Sequence, residues 1–194
     1  MAALFHELRL QPATVCDYDA VVVVEGDINA FADGERVVFP WAMMRFAADD
    51  ELVGVLAHEI AHNAMGHLDA RRSNALLGGL FGAVFDVALA TQGVNTRGEN
   101  TANFMSAGAE AFSQDFEREA DYVGMYILAR AAVPLETVPN LWRQFAQINP
   151  SAISYASTHP TTAERFVRLR QTIEEIRAKR AAGEALLPEM KPTG

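Results

Sequence analysis

The segment His58-Glu59-Ile60-Ala61-His62 places two histidines and a glutamate at a spacing that can hold and use a metal ion. Residues four apart lie one above the other on a helix, so both imidazoles can point at one ion. Zinc suits such neutral nitrogen ligands and lowers the pKa of a bound water to about 7. Glu59 is turned about 100° from His58 and is close enough to accept that water's proton. The segment therefore predicts a catalytic zinc site with Glu59 as general base.

A catalytic zinc usually takes three protein ligands and a water, so a third ligand must come from elsewhere in the chain. Glu117 and Asp121 are the best candidates, because they are four apart and share one face of a second predicted helix. Ala120 and Gly124 beside them leave room for a close helix approach. Glu117 as ligand and Asp121 as the acceptor of a ligand-histidine N–H would give a carboxylate–histidine–metal arrangement. Taken alone, the two carboxylates could also be ordinary surface charges.

The composition is that of a soluble globular chain. Hydrophobic residues make up 50% and charged residues 21% of 194 residues, which fits one domain with its own core. The net charge of −9 argues against a nucleic-acid binder and provides no polybasic anchor for acidic lipids. The single cysteine, Cys16, cannot form an intramolecular disulfide. Residues 1–10 do not resemble a signal peptide, although a mature domain without its leader would look the same.

A small sheet is expected near the start of the chain. Residues 21–25 begin as a β-branched run, which is typical of a buried strand. Asp33-Gly34 lies between residues 29–31 and residues 35–39 and predicts a hairpin turn. Pro40 ends the second arm, which therefore suits an edge strand better than a central one.

Four helices are predicted to follow. They run from Asp49 or Asp50 to about His67, from about Asn103 to Arg130, over residues 138–148, and from near Thr161 onward. Pro134 lies beyond the end of the second helix, and Thr161 with Glu164 would make a capping box for the last one. The side chains expected to face inward on these two helices are Phe112, Phe116, Val123 and Ile127, and Phe166, Leu169, Ile173 and Ile176. We predict one catalytic domain over residues 1–181 and a loosely ordered tail over residues 182–194.

Residues 76–90 do not fit a simple core. They are almost wholly apolar, with three glycines and Asp86 as the one charged residue, but are shorter than the roughly 20 residues of a membrane span. A buried helix or hairpin, a membrane-dipping or lid-like segment, and part of an oligomer interface are the three interpretations. Exposure would distinguish them, because a large apolar surface requires a partner. Residues 91–101 form a polar loop and a predicted flap.

The order of the motifs resembles the zinc peptidase family of the CAAX prenyl protease type, HtpX, and the periplasmic proteases BepA and LoiP. The matching residues, in chain order, are Asn29-Ala30-Phe31, the segment His58–His62, Glu117, Asp121, His159-Pro160 and Arg165. The resemblance implies an α+β, mostly helical, gluzincin-like domain with a small sheet whose edge strand lines the cleft. It makes Glu117 the third zinc ligand and Glu59 the catalytic base.

Further roles follow from the resemblance alone. Asp121 would orient a ligand histidine, and Arg165 would support the site from behind. His159 would stabilise the oxyanion of the tetrahedral intermediate or cap zinc in a resting state. The edge strand would correspond to Arg36, Val37, Val38 and Phe39, which would bind a polypeptide substrate as an added strand.

These observations predict a zinc endopeptidase that cleaves extended or misfolded proteins. The chain lacks the several membrane spans of the prenyl protease and HtpX branches, so the soluble or peripheral branch fits better. That branch implies a cell-envelope location, periplasmic or membrane-associated, with peripheral membrane contact through residues 76–90. A latent zinc-containing chaperone or assembly module with a plugged site is the main alternative, and a zinc hydrolase of non-protein amides is a weaker one.

Overall fold

The computed structural model describes residues 18–24, 28–110, 113–148, 159 and 163–189. The chain divides into two compact units, Met1–Met65 with Glu117–Gly194, and Gly66–Phe116. Within the described residues the strands are β1 (Asp19–Val23), β2 (Phe31–Ala32) and β3 (Arg36–Pro40). The helices are α1 (Trp41–Phe46), α2 (Asp49–Ala64), α3 (His67–Ala90), α4 (Glu99–Glu110), α5 (Ser113–Arg130), α6 (Thr137–Ile148) and α7 (Ala163–Ala182). Helices predominate, and the predicted α+β class is confirmed.

The hairpin predicted around Asp33-Gly34 is present. β2 pairs antiparallel with β3, with Phe31 opposite Val38. The Asp33 carboxylate accepts hydrogen bonds from the backbone N–H groups of Glu35 and Arg36, at 3.0 and 2.7 Å. Gly34 has a φ of 103°, a conformation that residues with a side chain rarely adopt. The turn chemistry read from the sequence therefore sets the register of this hairpin.

The expected positions of the strands within the sheet are wrong. The strand order is β1–β3–β2, so β3 is the central strand and both of its edges are paired. Val37, Val38 and Phe39 are accordingly buried. β1, expected to be buried, is an edge strand in which Val22 is 55% exposed. A β-branched run indicates a strand, but it does not tell where that strand lies in the sheet.

The helix that carries the two histidines begins and ends slightly earlier than expected. Its N-cap is Ala48 rather than Asp49 or Asp50, and the Glu51 carboxylate accepts the Ala48 N–H at 2.9 Å. It ends at Ala64 rather than near His67, and Gly66, with a φ of 70°, separates it from α3. The chain thus turns immediately after the predicted metal-binding segment.

The later helices follow the prediction in part. The helix expected from Asn103 to Arg130 is described as α4 and α5, which ends at Arg130, and residues 111–112 lie outside the described part. The expected cap at Thr161 also lies outside the described residues. The inward faces are mostly confirmed: Val123, Ile127, Leu169, Ile173 and Ile176 are buried, Phe116 and Phe166 are half-buried, and Phe112 is not described.

Two apolar clusters hold α2 from both sides. One joins α2 to the sheet and α1 through Val37, Phe39, Met43 and Val55. The other joins α2 to α5, α6 and α7, and Ile60 packs against both clusters. Because α2 is fixed on opposite faces, the side chains of its central turns have a defined direction.

The second unit is an antiparallel helical hairpin formed by α3 and α4. A Cβ atom on Gly78 would lie 2.0 Å from the Phe104 carbonyl oxygen, and one on Gly82 would lie 2.4 Å from that of Asn100. Glycine is therefore required where the two backbones approach. The interpretation of residues 76–90 as a buried segment is wrong for the described part of the chain, because Leu80 and Phe81 are 66% and 65% exposed.

Part of the expected loose tail is held against the first unit. Lys179 Nζ donates to the Leu187 carbonyl oxygen at 2.7 Å, and the Glu189 N–H donates to Tyr122 Oη at 2.8 Å. Pro188 is buried between these anchors. The proposed division at residue 181 remains a prediction.

Candidate metal centre

Four side chains from three places in the sequence converge in the first unit. His58 and His62 come from α2, Glu117 comes from the start of α5, and His159 precedes α7. Each offers one ligand atom, and these atoms lie within 4.8 Å of one another. His58, His62 and Glu117 are 3%, 9% and 4% exposed. The structure thus brings together the three side chains predicted as ligands and adds His159 to them.

The distances between these atoms suit one small ion with four ligands. His58 Nε2 lies 3.1 Å from His62 Nε2 and 3.3 Å from Glu117 Oε2, and His62 Nε2 lies 3.2 Å from Glu117 Oε1. Zinc–nitrogen bonds of about 2.0–2.1 Å in a tetrahedron would separate neighbouring ligand atoms by about 3.3 Å. Two imidazoles and a carboxylate also form a known donor set for catalytic zinc. The residues present therefore fit a zinc ion.

His159 reaches the cluster with one ring nitrogen and faces Glu59 with the other. Its Nδ1 lies 3.0 Å from Glu117 Oε1 and 3.4 Å from His58 Nε2, whereas its Nε2 lies 3.3 Å from Glu59 Oε1. Its Nδ1 is thus spaced like a fourth ligand atom. The other nitrogen is placed to share a proton with the predicted base.

Asp121 and Arg165 lie behind the predicted ligands. Asp121 Oδ1 lies 3.1 Å from His58 Nδ1, the nitrogen that faces away from the cluster. Both hydrogen bonding and charge attraction link this pair. Arg165 donates to both Asp121 oxygens, at 2.7 and 2.8 Å, and its Nη1 lies 3.1 Å from Glu117 Oε2. One buried guanidinium thus orients two carboxylates at once.

Trp142 is a neighbour of the site that sequence reasoning missed. Its ring lies edge-on to the His58 ring at a centroid distance of 5.4 Å, and the Arg165 Cζ atom lies 4.1 Å from its centroid. It therefore limits the movement of a predicted ligand and of the supporting guanidinium. Its type and position within a helix resemble those of an ordinary core residue, so no motif could have identified it.

The close approach predicted for α2 and α5 depends on small residues. A Cβ atom on Gly124 would lie 3.3 Å from the Ala57 carbonyl oxygen and 3.3 Å from the backbone N and Cα of His58. Ala120, one turn earlier, is fully buried. The two backbones can therefore come close enough for Glu117 to reach both histidines.

Enlarging Gly124 is expected to separate the two helices. Gly124→Leu should lower the free energy of unfolding by about 1–3 kcal/mol and weaken metal binding, because the side chain would overpack against the α2 backbone. Gly124→Ala should be close to neutral, since its helix propensity gain of about 1 kcal/mol offsets three slightly tight contacts. Denaturant unfolding and metal titration of both variants would test this. A Leu variant as stable and as well metallated as the Ala variant would contradict it.

The buried charges shift one another's protonation. Burial opposes protonation of His58, but Asp121 and Glu117 outweigh it and raise the pKa of His58 to about 10. Burial lowers the pKa of His62 to about 3, against the attraction of Glu117. Burial also raises the pKa of Glu59, although the positive histidines nearby oppose it. Strongly shifted pKa values occur more often at functional sites than elsewhere in proteins.

Glu59 lies between the cluster and the edge of the sheet. It is 2% exposed, and its carboxylate accepts a hydrogen bond from the Ala32 N–H of β2. β2 is an edge strand of the described sheet, whereas the predicted substrate-binding residues 36–39 belong to the central strand. The assignment of residues 36–39 as an edge for strand addition is therefore wrong, because β1 and β2 already occupy both sides of β3. Phe31 of the Asn29-Ala30-Phe31 segment begins β2, the strand that contacts Glu59.

The chain is similar to known peptidases. A model of peptidase family M48 matches residues 2–173. Mitochondrial metalloendopeptidase OMA1 of Arabidopsis thaliana is 29% identical over 157 residues, which cover 79% of this chain and 31% of the relative. Beta-barrel assembly-enhancing protease of Escherichia coli K12 is 28% identical over 162 residues, which cover 78% of this chain and 33% of the relative. Metalloprotease YcaL of the same organism is 27% identical over 159 residues, which cover 78% of this chain and 61% of the relative.

The chain thus spans between 31% and 61% of the length of these three relatives. No solved structure gives a significant match.

Proposed function

The chain belongs to peptidase family M48, and from this premise we propose that it is a zinc-dependent endopeptidase acting on extended or misfolded proteins. The observation that carries the proposal is the spacing of His58, His62 and Glu117, with Glu59 alongside. The three relatives described above are named as proteases or endopeptidases. Their names support peptide-bond hydrolysis as the reaction class.

His58, His62 and Glu117 would hold the ion, with Asp121 orienting His58. Bound zinc would supply a Lewis acid that polarises the scissile carbonyl and makes a water more acidic. Glu59 would accept the proton of the attacking water and later deliver it to the leaving amine. Burial raises the pKa of Glu59, and a carboxylate with a raised pKa is the stronger base.

His159 has two candidate roles in this scheme. Its Nε2, 3.3 Å from Glu59, faces the side of the cluster where the base acts and could donate a hydrogen bond to the developing oxyanion. Its Nδ1 is close enough to the ligand atoms to complete the metal site instead. The second role would correspond to a resting state. It is the structural support for the alternative function, a latent zinc-containing chaperone or assembly module.

We propose that the substrate backbone lies along β2 rather than along residues 36–39. β2 has one edge paired with β3, and its Ala32 N–H contacts the predicted base. An extended segment added at its other edge would pass beside Glu59. A cell-envelope location with peripheral membrane contact through residues 76–90 is part of the same proposal.

Metal removal distinguishes the two functions. Treatment with a chelator is expected to abolish casein cleavage by the purified chain, and one equivalent of Zn²⁺ should restore it. Magnesium serves as the matched control, because its preference for octahedral oxygen ligands does not suit two imidazoles. Bound zinc without turnover under any condition would favour the latent module, whereas cleavage that survives complete metal removal would contradict both.

A further inference from the structure

The helical hairpin of the second unit has one broad apolar face. Seven large apolar side chains of α3 are between 54% and 68% exposed: Leu76, Leu77, Leu80, Phe81, Val84, Phe85 and Val87. At 100° per residue they fall within about 180° of arc, that is, half of the helix surface. Phe85, at one border of this face, stacks on Phe104 of α4 at a centroid distance of 5.5 Å, and all seven side chains remain more than half exposed in the described structure. A face of this size normally belongs to a binding surface.

The polar and close-packed groups of α3 face the other way. Gly78 and Gly82 contact the α4 backbone. Asp86, the one charged residue in this stretch, accepts hydrogen bonds from Asn100 Nδ2 at 2.9 Å and from the Thr101 N–H and Oγ1 at 2.9 and 2.7 Å. These bonds and the one from Thr96 hold the pKa of Asp86 well below its usual range. Over residues 76–90 the exposed half of α3 therefore presents apolar side chains without a charge, and the helix satisfies its own backbone groups.

The two arms of the hairpin differ in character. α3 is long and apolar enough to cross a membrane by length and composition. α4 exposes Asn103 and Ser106 beside Phe104 and Met105, whose 39% and 41% exposure is lower than that of the apolar side chains of α3. If the hairpin spanned a bilayer, the charged Asp86 and its partners Asn100 and Thr101 would lie in or near the hydrocarbon core, which is energetically costly. Because α3 and α4 are packed together, α3 cannot cross a membrane while α4 stays outside it. This favours a hairpin that lies on the membrane surface.

We propose that the α3–α4 hairpin binds the surface of a neutral phospholipid bilayer, with the exposed face of α3 among the acyl chains and α4 toward water. The one-sided distribution of apolar residues is that of an interfacial helix. A net charge of −9 disfavours an electrostatic attraction to acidic lipids, so apolar burial drives the binding. This inference rests on the peripheral membrane contact included in the proposed function and specifies it; because it concerns the second unit alone, its failure would leave the proposed catalysis untouched.

Vesicle flotation of the full chain tests the proposal. The chain is expected to float with phosphatidylcholine vesicles, no less well than with vesicles containing phosphatidylglycerol, and high salt should not release it. The double variant Leu80→Glu/Val84→Glu should reduce the partition coefficient about tenfold or more, because both carboxylates would enter the acyl region. Val167→Glu on α7 is the matched control, since Val167 is 56% exposed but lies outside the hairpin. Circular dichroism and casein cleavage would show that all variants fold.

Orientation is tested by labelling. In a Cys16→Ser background, Asn103→Cys should react with a membrane-impermeant maleimide while the chain is bound to vesicles, and Phe81→Cys should be protected. Protection of both cysteines would overturn the surface arrangement. Membrane binding would be overturned if the folded parent chain fails to float, or if the double variant floats as well as the parent chain does. A dimer that forms without vesicles, and that the double variant but not Val167→Glu disrupts, would show instead that the exposed face of α3 binds a second copy of the chain.

Discussion

Replacement of Glu59 by glutamine is expected to lower the kcat for casein cleavage by about 10²- to 10⁴-fold, the usual contribution of a general base. The amide has nearly the shape of the carboxylate but cannot accept the proton of the attacking water. Metal content should remain at one ion per chain, because Glu59 is not among the four clustered ligand groups. Active-site titration and metal analysis of the same preparation would measure both effects.

Asp50→Asn provides the control for this variant. Asp50 lies in the first turn of the same helix and is exposed, so the substitution removes one negative charge from α2 away from the cluster. Its activity should equal that of the parent chain. Undiminished cleavage by Glu59→Gln would show that another group is the base.

The second large effect is expected at Glu117. Glu117→Ala should weaken zinc binding by at least about 100-fold, beyond the range of about 10–100-fold typical of residues that only support a ligand. The loss removes an anionic ligand and leaves His58 and His62 without a carboxylate at 3.3 and 3.2 Å. Competition with a chromophoric chelator would measure the affinity.

Arg165 complicates the interpretation of this variant, because its Nη1 also lies 3.1 Å from Glu117. A buried charge that loses a partner can destabilise the fold. Glu117→Gln keeps the shape and one ligand oxygen, and Glu119→Ala, two residues further along the same helix, controls for the loss of a carboxylate. Thermal unfolding would separate loss of fold from loss of ligand, and unchanged zinc affinity in a folded Glu117→Ala variant would refute the proposed centre.

The sequence predicts those features of this protein that depend on residue spacing within one helix or turn. The spacing of His58 and His62 directs both rings to one side of α2, and Gly124 allows α5 to approach. The turn at Asp33-Gly34 follows from backbone preferences alone. The histidine spacing and the turn each involve residues of a single element. The helix approach requires only that a small residue be present at position 124.

The order of strands cannot be read in the same way. β1 pairs with β3 in parallel, with Asp19 opposite Arg36, and such a pairing joins residues with no local turn between them. Pro40 appeared to mark an edge, but as the last residue of β3 it disturbs little of the ladder. Trp142 enters the site for a comparable reason, because its contact with His58 comes from packing between distant helices.

The α3–α4 hairpin lies in the sequence between the two helices that carry the proposed metal ligands, and this has a further consequence. The chain leaves the first unit after Met65 and re-enters it at Glu117, so the excursion between them is a compact unit of its own. Doubling the length of a flexible connection costs only about 0.6 kcal/mol of closure entropy. The excursion is therefore modular: it could be lengthened, shortened or exchanged for another segment at small thermodynamic expense, while the proposed catalytic residues stay encoded elsewhere.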